Sequence, residues 1–349
     1  MALRTAKDRA KRLAGWKAVP SHRGLTPPVE VRPPGAGTRQ KPAAARIEAV
    51  RRELANNSLQ VAALSRPVMA QMGPIIDQAR REVAKDLAAW LKTVPDGELR
   101  YTAQHYRATL AALENSFTTI RGLEPELAQS LSSMAVDAGQ LATDHLVSEV
   151  ARFSKVFEGV EVRVPVKVAA VIQTGQSYLI PRFRTSAHRY AGDIASDIKR
   201  ELAVGVLRRE SVYELTNRLV RLGGPKGEVA LRGVKGEPGA VVETITEGLF
   251  RRYRYWAERI ARTETTAAYA HQAHAAQWEA RKHVPDLQRR WDASVDGRNC
   301  MECRRLDGQV VDFGERFSNG STDAPAHPNC RCRVGAWRRG WKKLIEETK

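Results

Sequence analysis

All four cysteines of this 349-residue chain fall between positions 300 and 332. Cys300 and Cys303 form a C-x-x-C. His327, Cys330 and Cys332 follow as H-P-N-C-R-C, with 26 residues between Cys303 and Cys330. Thiolates and imidazoles are the ligands of structural zinc, and two ligand pairs separated by a short segment build a tetrahedral site. Five candidates compete for four places. The spacing favours Cys300, Cys303, His327 and one of Cys330 or Cys332. If all four thiolates bind, His327 becomes a capping group. Two disulfides, Cys300 to Cys330 and Cys303 to Cys332, would staple the same segment without metal, but a reducing cytoplasm favours zinc or free thiols.

Other chemistries fit these residues less well. A His-Asn-His-type nuclease, supported by zinc, needs a general-base histidine and ligands for a catalytic metal. Only His327 follows Cys300, and the knot claims it. Asp312 could supply a carboxylate, but Asp296 and Asp307 sit in Asp-Gly pairs, which are turn chemistry first. A thiol protease needs one nucleophilic cysteine and a separate base, which four clustered cysteines do not resemble. His271 and His274, three apart, read as packing or hydrogen-bonding groups. The chain is therefore expected not to be an enzyme, with a zinc-containing nucleic-acid-binding protein or the nuclease as the alternative. In the tail Trp337-Arg338-Arg339-Gly340-Trp341-Lys342-Lys343, the indoles could stack on bases. Arg338, Arg339, Lys342 and Lys343 are then the candidates for DNA or partner contact. Otherwise the tryptophans pack on the knot.

A long helix from about Val241 to His283 must position this cluster. Ile260, Glu264, Ala267, His271, His274 and Trp278 share one of its faces. Arg262 and Glu264 are expected to form a buried polar network that fixes the helix against the knot. After Pro285, Asp296-Gly297 and Leu306-Asp307-Gly308 mark turns between short antiparallel strands.

Upstream, helical periodicity runs through residues 46–240. Tyr106, Leu110, Leu113, Phe117 and Ile120 fall on one face, as do Leu146, Val150, Phe153 and Phe157. Val160, Val162 and Val164 alternate briefly, as in a short strand. Residues 223–240 are a Gly/Pro-rich basic loop without the order of a phosphate-binding loop. Residues 1–45 hold ten of the basic side chains and six prolines from Pro20 to Pro42, a composition expected to give a disordered arm. The expected fold is mainly α, with a small α+β module at 241–349 in which the long helix packs on a hairpin-rich Cys/His knot.

Lys and Arg outnumber Asp and Glu by 57 to 39, a formal net charge of +18. That excess favours an anionic partner, such as DNA or an acidic protein face. No apolar run approaches the roughly 20 residues of a membrane span, and the N-terminus does not read as a secretory signal.

The block Ala261-Arg262-Thr263-Glu264-Thr265 resembles the phage Mu F-like head-morphogenesis (minor capsid) family. So does the later run of Trp291-x-Ala293, Asp296-x-Arg298-x-Cys300-x-x-Cys303, Leu306-Asp307-Gly308 and His327-Pro328-Asn329-Cys330-Arg331-Cys332. The resemblance covers about residues 255–335. It implies a minor capsid protein of a tailed bacteriophage, present in a few copies at the portal vertex of the virion and assembled in the host cytoplasm. Its implied partners are the portal protein and other capsid proteins. Its implied roles are head assembly and DNA packaging or delivery.

Overall fold

The structure is a computed structural model that describes residues 31–32, 43–91, 103–210, 214–215, 218, 238–294 and 299–341. The remainder of the expected arm, most of the 223–240 loop, the Asp296-Gly297 turn, Lys342 and Lys343 lie outside the described residues.

Among the described residues, seven long or medium helices build the body: α1 (Ala43–Ala63), α2 (Ser65–Leu91), α3 (Ala103–Ala112), α4 (Glu114–Arg121), α5 (Leu123–Glu158), α6 (Val168–Leu207) and α7 (Pro238–Arg281). The stripe from Tyr106 to Ile120 is split between α3 and α4. Leu113, Phe117 and Ile120 are buried, whereas Tyr106 and Leu110 pack at the margin of the same core. Helix α5 stops at Gly159, whose φ of 77° is the left-handed conformation that glycine adopts cheaply.

Helices α5 and α6 lie along one another, and α7 packs against α2, α5 and α6. One core joins Met72, Ile76 and Val83 of α2, Leu127 and Leu131 of α5, Phe183 and Ile194 of α6, and Phe250, Tyr253 and Ala261 of α7. The face of α7 expected from the sequence is not its most deeply buried one. Ala257, Ala261, Ala268, Ala273, Ala276 and Ala280 are buried, whereas Trp278 is exposed. Small alanines let α7 approach its neighbours closely. Between α5 and α6, Gln272 of α7 occupies a slot faced by Gly139 and Gly175, and its Nε2 donates to the Ala135 carbonyl at 2.7 Å.

The described residues also form two small sheets. β1 (Val31–Arg32) pairs antiparallel with β2 (Glu161–Val162), Val31 opposite Val162. Two arm residues are therefore ordered as strand. The second sheet has the order β4-β3-β5, with β3 (Leu287–Asp292) central, β4 (Val310–Val311) and β5 (Arg333–Arg338). A short helix, α8 (Met301–Leu306), lies between β3 and β4, so the knot is less purely a hairpin structure than expected. Strand β5 is also new. The expected tail begins with strand, and Trp337 and Trp341 pack against Phe153 and Phe157 of α5 rather than on the knot.

Candidate metal centre

Cys300 caps the N-terminus of α8, and its Sγ accepts the backbone N–H of Cys303 at 3.3 Å. This one turn brings both C-x-x-C sulfurs to the same side. His327 Nε2 stands 3.2 Å from Cys300 Sγ and 3.1 Å from Cys303 Sγ. Cys330 Sγ lies 3.8 Å from Cys303 Sγ. Cys303 is the shared member of two close groups, one with Cys300 and His327, the other with Cys330 and Cys332. All four thiols are free. Of the disulfide alternative's two pairs, Cys303 and Cys332 lie in one close group, whereas Cys300 is grouped with Cys303 and His327 and not with Cys330.

The donor set fits a structural tetrahedral ion. Bonds of about 2.3 Å from sulfur to zinc imply sulfur-to-sulfur edges of roughly 3.8 Å, and the Cys303–Cys330 separation has that size. His327 Nδ1 hydrogen-bonds the Pro328 carbonyl at 2.9 Å. That bond uses Nδ1–H and leaves the Nε2 lone pair for a metal, the arrangement expected of a ligating imidazole.

The close thiols perturb one another's ionisation. Hydrogen bonds from Cys303 and Cys332 drive the Cys330 thiol far down. The same contact with Cys330 pushes Cys303 up, and burial adds to it. Cys332 rises to about 12; its hydrogen bond with Cys303 works the other way, but Cys330 and burial outweigh it. Burial lowers His327, but its bond to Pro328 and the charges of Cys330 and Cys300 raise it on balance.

Helix α7 holds the H-P-N-C loop through the side chains of the Ala261–Thr266 block. Arg262 Nη1 donates to Asn329 Oδ1 at 2.9 Å, and its other terminal nitrogen pairs with Glu258. Thr263 Oγ1 accepts the Asn329 N–H at 3.0 Å, and Thr266 Oγ1 donates to the Cys330 carbonyl at 3.2 Å. Asn329 sits at φ 66°, a region asparagine tolerates better than bulkier residues. Glu264 does not join this network. It turns to α6, where Arg182 Nε lies 2.5 Å away and Ser186 donates at 3.0 Å. The reason is helical angle: Arg262 and Glu264 are two residues apart and face different neighbours.

The two described tail arginines are engaged within the protein. Arg338 pairs with Asp286 and Glu158, and Arg339 with Asp312. His274 Nδ1 meets Asp323 at 3.0 Å, while His271 stacks on Tyr178 with centroids 4.4 Å apart.

A second polar centre was not expected. Arg333, directly after Cys332, is fully buried between Glu149 at 2.5 Å and Asp292 at 2.8 Å. Tyr269 Oη lies 3.5 Å from Arg333 and 2.8 Å from His145 Nδ1, and His145 Nε2 reaches Gln60 at 2.7 Å. The available signal was Glu149, a charge amid the apolar stripe of Leu146, Val150 and Phe153.

Residues 196–335 match the family described as Phage Mu protein F like protein. This part of the chain is Phage Mu F-like. The Phage Mu F-like region begins within α6 and takes in α7, the knot and the start of β5, so it contains both the Cys/His cluster and the helix that holds it. The family points to a phage head-related protein of the virion that contacts other capsid components. Helices α1 to α5 lie outside the matched region, yet Glu149 of α5 completes the Arg333 pair inside it. No curated protein and no solved structure matches the chain. Among the described residues, no helix is long and apolar enough to cross a membrane.

Proposed function

We propose that the chain is a structural, non-enzymatic minor head protein incorporated at or near the portal vertex during head assembly, with one zinc ion in the knot. The observation that carries this reading is the Phage Mu F-like match over the α7–knot unit. The favoured ligands are Cys300, Cys303, His327 and Cys330, with Cys332 beside them. Zinc would supply a cross-link between the α8 turn and the H-P-N-C loop, taking the place of an extended core in a small module. Cys303 joins the two halves, Cys330 contributes the readiest thiolate, and Pro328 holds the imidazole.

The non-enzymatic reading rests on His327. It is the sole histidine after Cys300, and both of its ring nitrogens are engaged, so it is poorly placed to serve as a general base. The net charge of +18 supports a contact with packaged DNA during packaging or delivery.

Co-expression with the portal protein of the same genome tests the assignment. The two should co-purify, and separate elution at every salt concentration argues against a place at the portal. Incubation with plasmid and Mg²⁺ or Mn²⁺ should leave the DNA intact. Cleavage that disappears in a His327→Ala variant would replace this reading with a nuclease.

A further inference from the structure

Cys300 stands apart from the other three thiols of the knot because it is exposed. Cys303 is 2% exposed, Cys330 1% and Cys332 0%. Those three pack in the apolar cluster around Trp291 and Val334, and Cys300 does not. A molecule in solvent therefore reaches one sulfur of the four. Exchange between a thiol and a disulfide needs such access, because the attacking sulfur must meet the disulfide directly.

The same sulfur is the one the donor set can spare. Cys303, Cys330 and Cys332 keep their sulfurs within 4.8 Å of one another, and His327 Nε2 lies 3.1 Å from Cys303 Sγ. Those four supply three sulfurs and one nitrogen, a full tetrahedral set with no part for Cys300. Cys332 is held firmly where it stands. The Ser294 backbone N–H donates to its sulfur, and the next residue, Arg333, is locked between Glu149 and Asp292. The knot thus carries two overlapping donor groups. The outer one includes Cys300 and His327, the inner one Cys330 and Cys332, and Cys303 belongs to both.

We propose that Cys300 is a modification site for low-molecular-weight disulfides, and that Cys332 is the reserve ligand that keeps zinc in the knot once Cys300 is capped. The inference rests on the zinc reading and extends it. Cys300 Sγ attacks one sulfur of the small disulfide. A bond forms between them as the disulfide bond breaks, and the other half leaves as a thiolate. The Cys300 sulfur is oxidised and the departing sulfur is reduced. Cys332 gives its proton to the departing thiolate and takes the ligand place that Cys300 vacates. One small disulfide is consumed, one mixed disulfide and one small thiol are formed, and the number of thiolate ligands is unchanged.

The test uses the full chain, purified with its zinc and treated with glutathione disulfide. Peptide mapping by mass spectrometry should find a single glutathione adduct, on Cys300, and metal analysis after desalting should find the zinc content unchanged. The same treatment of Cys332→Ser should give the same adduct but release most of the zinc, read as a several-fold larger signal from a chromogenic chelator. Cys300→Ser should hold as much zinc as the parent chain and take no adduct, and it decides alone if Cys332→Ser fails to fold. Untreated protein without zinc removes the zinc reading and this proposal together. Untreated protein that holds zinc, yet is modified elsewhere, is not modified, or loses zinc on treatment as readily as Cys332→Ser, overturns this proposal alone. So does a Cys300→Ser variant without zinc.

Discussion

Arg333 and Glu149, 184 positions apart in sequence, form an ion pair at 2.5 Å in which neither side chain is more than 1% exposed. Glu149 also accepts from Asn57 of α1 and from the backbone N–H of Ala336. The pair therefore ties the strand leaving the knot to two helices of the body. Removing one partner of a buried pair strands the other charge, at a cost of about 3–5 kcal/mol. Arg333→Ala and Glu149→Ala should each lower the unfolding free energy read from urea denaturation by that amount, and the double variant should lose less than the sum. Additive losses would mean the two residues act independently.

Acidification should destabilise the protein through His145. Burial, and next the Arg333 charge, hold this imidazole well below its ordinary 6.5. It faces Tyr269, Gln60 and Arg333. The unfolded chain takes up a proton near pH 6.5 that the folded state refuses, so stability falls as pH drops below that value. A melting temperature followed from pH 7.5 to 5 should decline, and His145→Gln should flatten the curve. Equal slopes in the two proteins would remove His145 as the cause.

The knot ligands should not be equivalent. Cys303→Ser touches both close groups and is expected to abolish metal uptake and unfold the module. Cys332→Ser should retain near-stoichiometric zinc with weaker affinity. Metal analysis after reduction and dialysis distinguishes them. Equal zinc content in both variants contradicts the central place of Cys303.

Gly139→Ala should be costly although it adds one methyl. The new Cβ would collide with the Gln272 carboxamide and stand 2.7 Å from Ile172 Cγ1. Overpacking of this kind costs roughly 1–3 kcal/mol. Gln272→Ala in the same chain should recover part of the loss, as read from denaturation midpoints.

Glu264→Ala should loosen α6 from α7 rather than the knot. It removes the acceptor of Arg182 and Ser186, and lost hydrogen bonds to a charged group cost about 1–3 kcal/mol. Thermal melting should reveal the loss while zinc content stays constant. Zinc loss on this change would return Glu264 to the knot.

The knot was legible because its chemistry is local. Residue type and spacing at Cys300, Cys303, His327, Cys330 and Cys332 restrict what the segment can do before any fold is known. Helix α5 was legible through its apolar period; α7 was legible as a long helix, but not which of its faces is most buried. Partners across the fold were not. His145 and Tyr269 are 124 positions apart, and no periodicity links them. The tail misled for another reason. Trp337, Arg338 and Trp341 have the composition of a nucleic-acid surface, but Phe153 and Phe157 offer the indoles a dry face, and Glu158 and Asp286 neutralise Arg338. Composition reports what side chains can do; only packing decides which surface they meet.

Helix α7 runs unbroken for 44 residues, a rod of about 66 Å at 1.5 Å per residue. Phe250 and Tyr253 anchor one end among the body helices, and Ala276 and Ala280 seat the other beneath Leu287 and Ala336 of the sheet. A rod gripped at both ends passes torque along its length instead of absorbing it. A pull on the knot by a neighbouring subunit would thus arrive in the bundle as a twist, and the molecule would bear load as one strut with no compliant joint along α7.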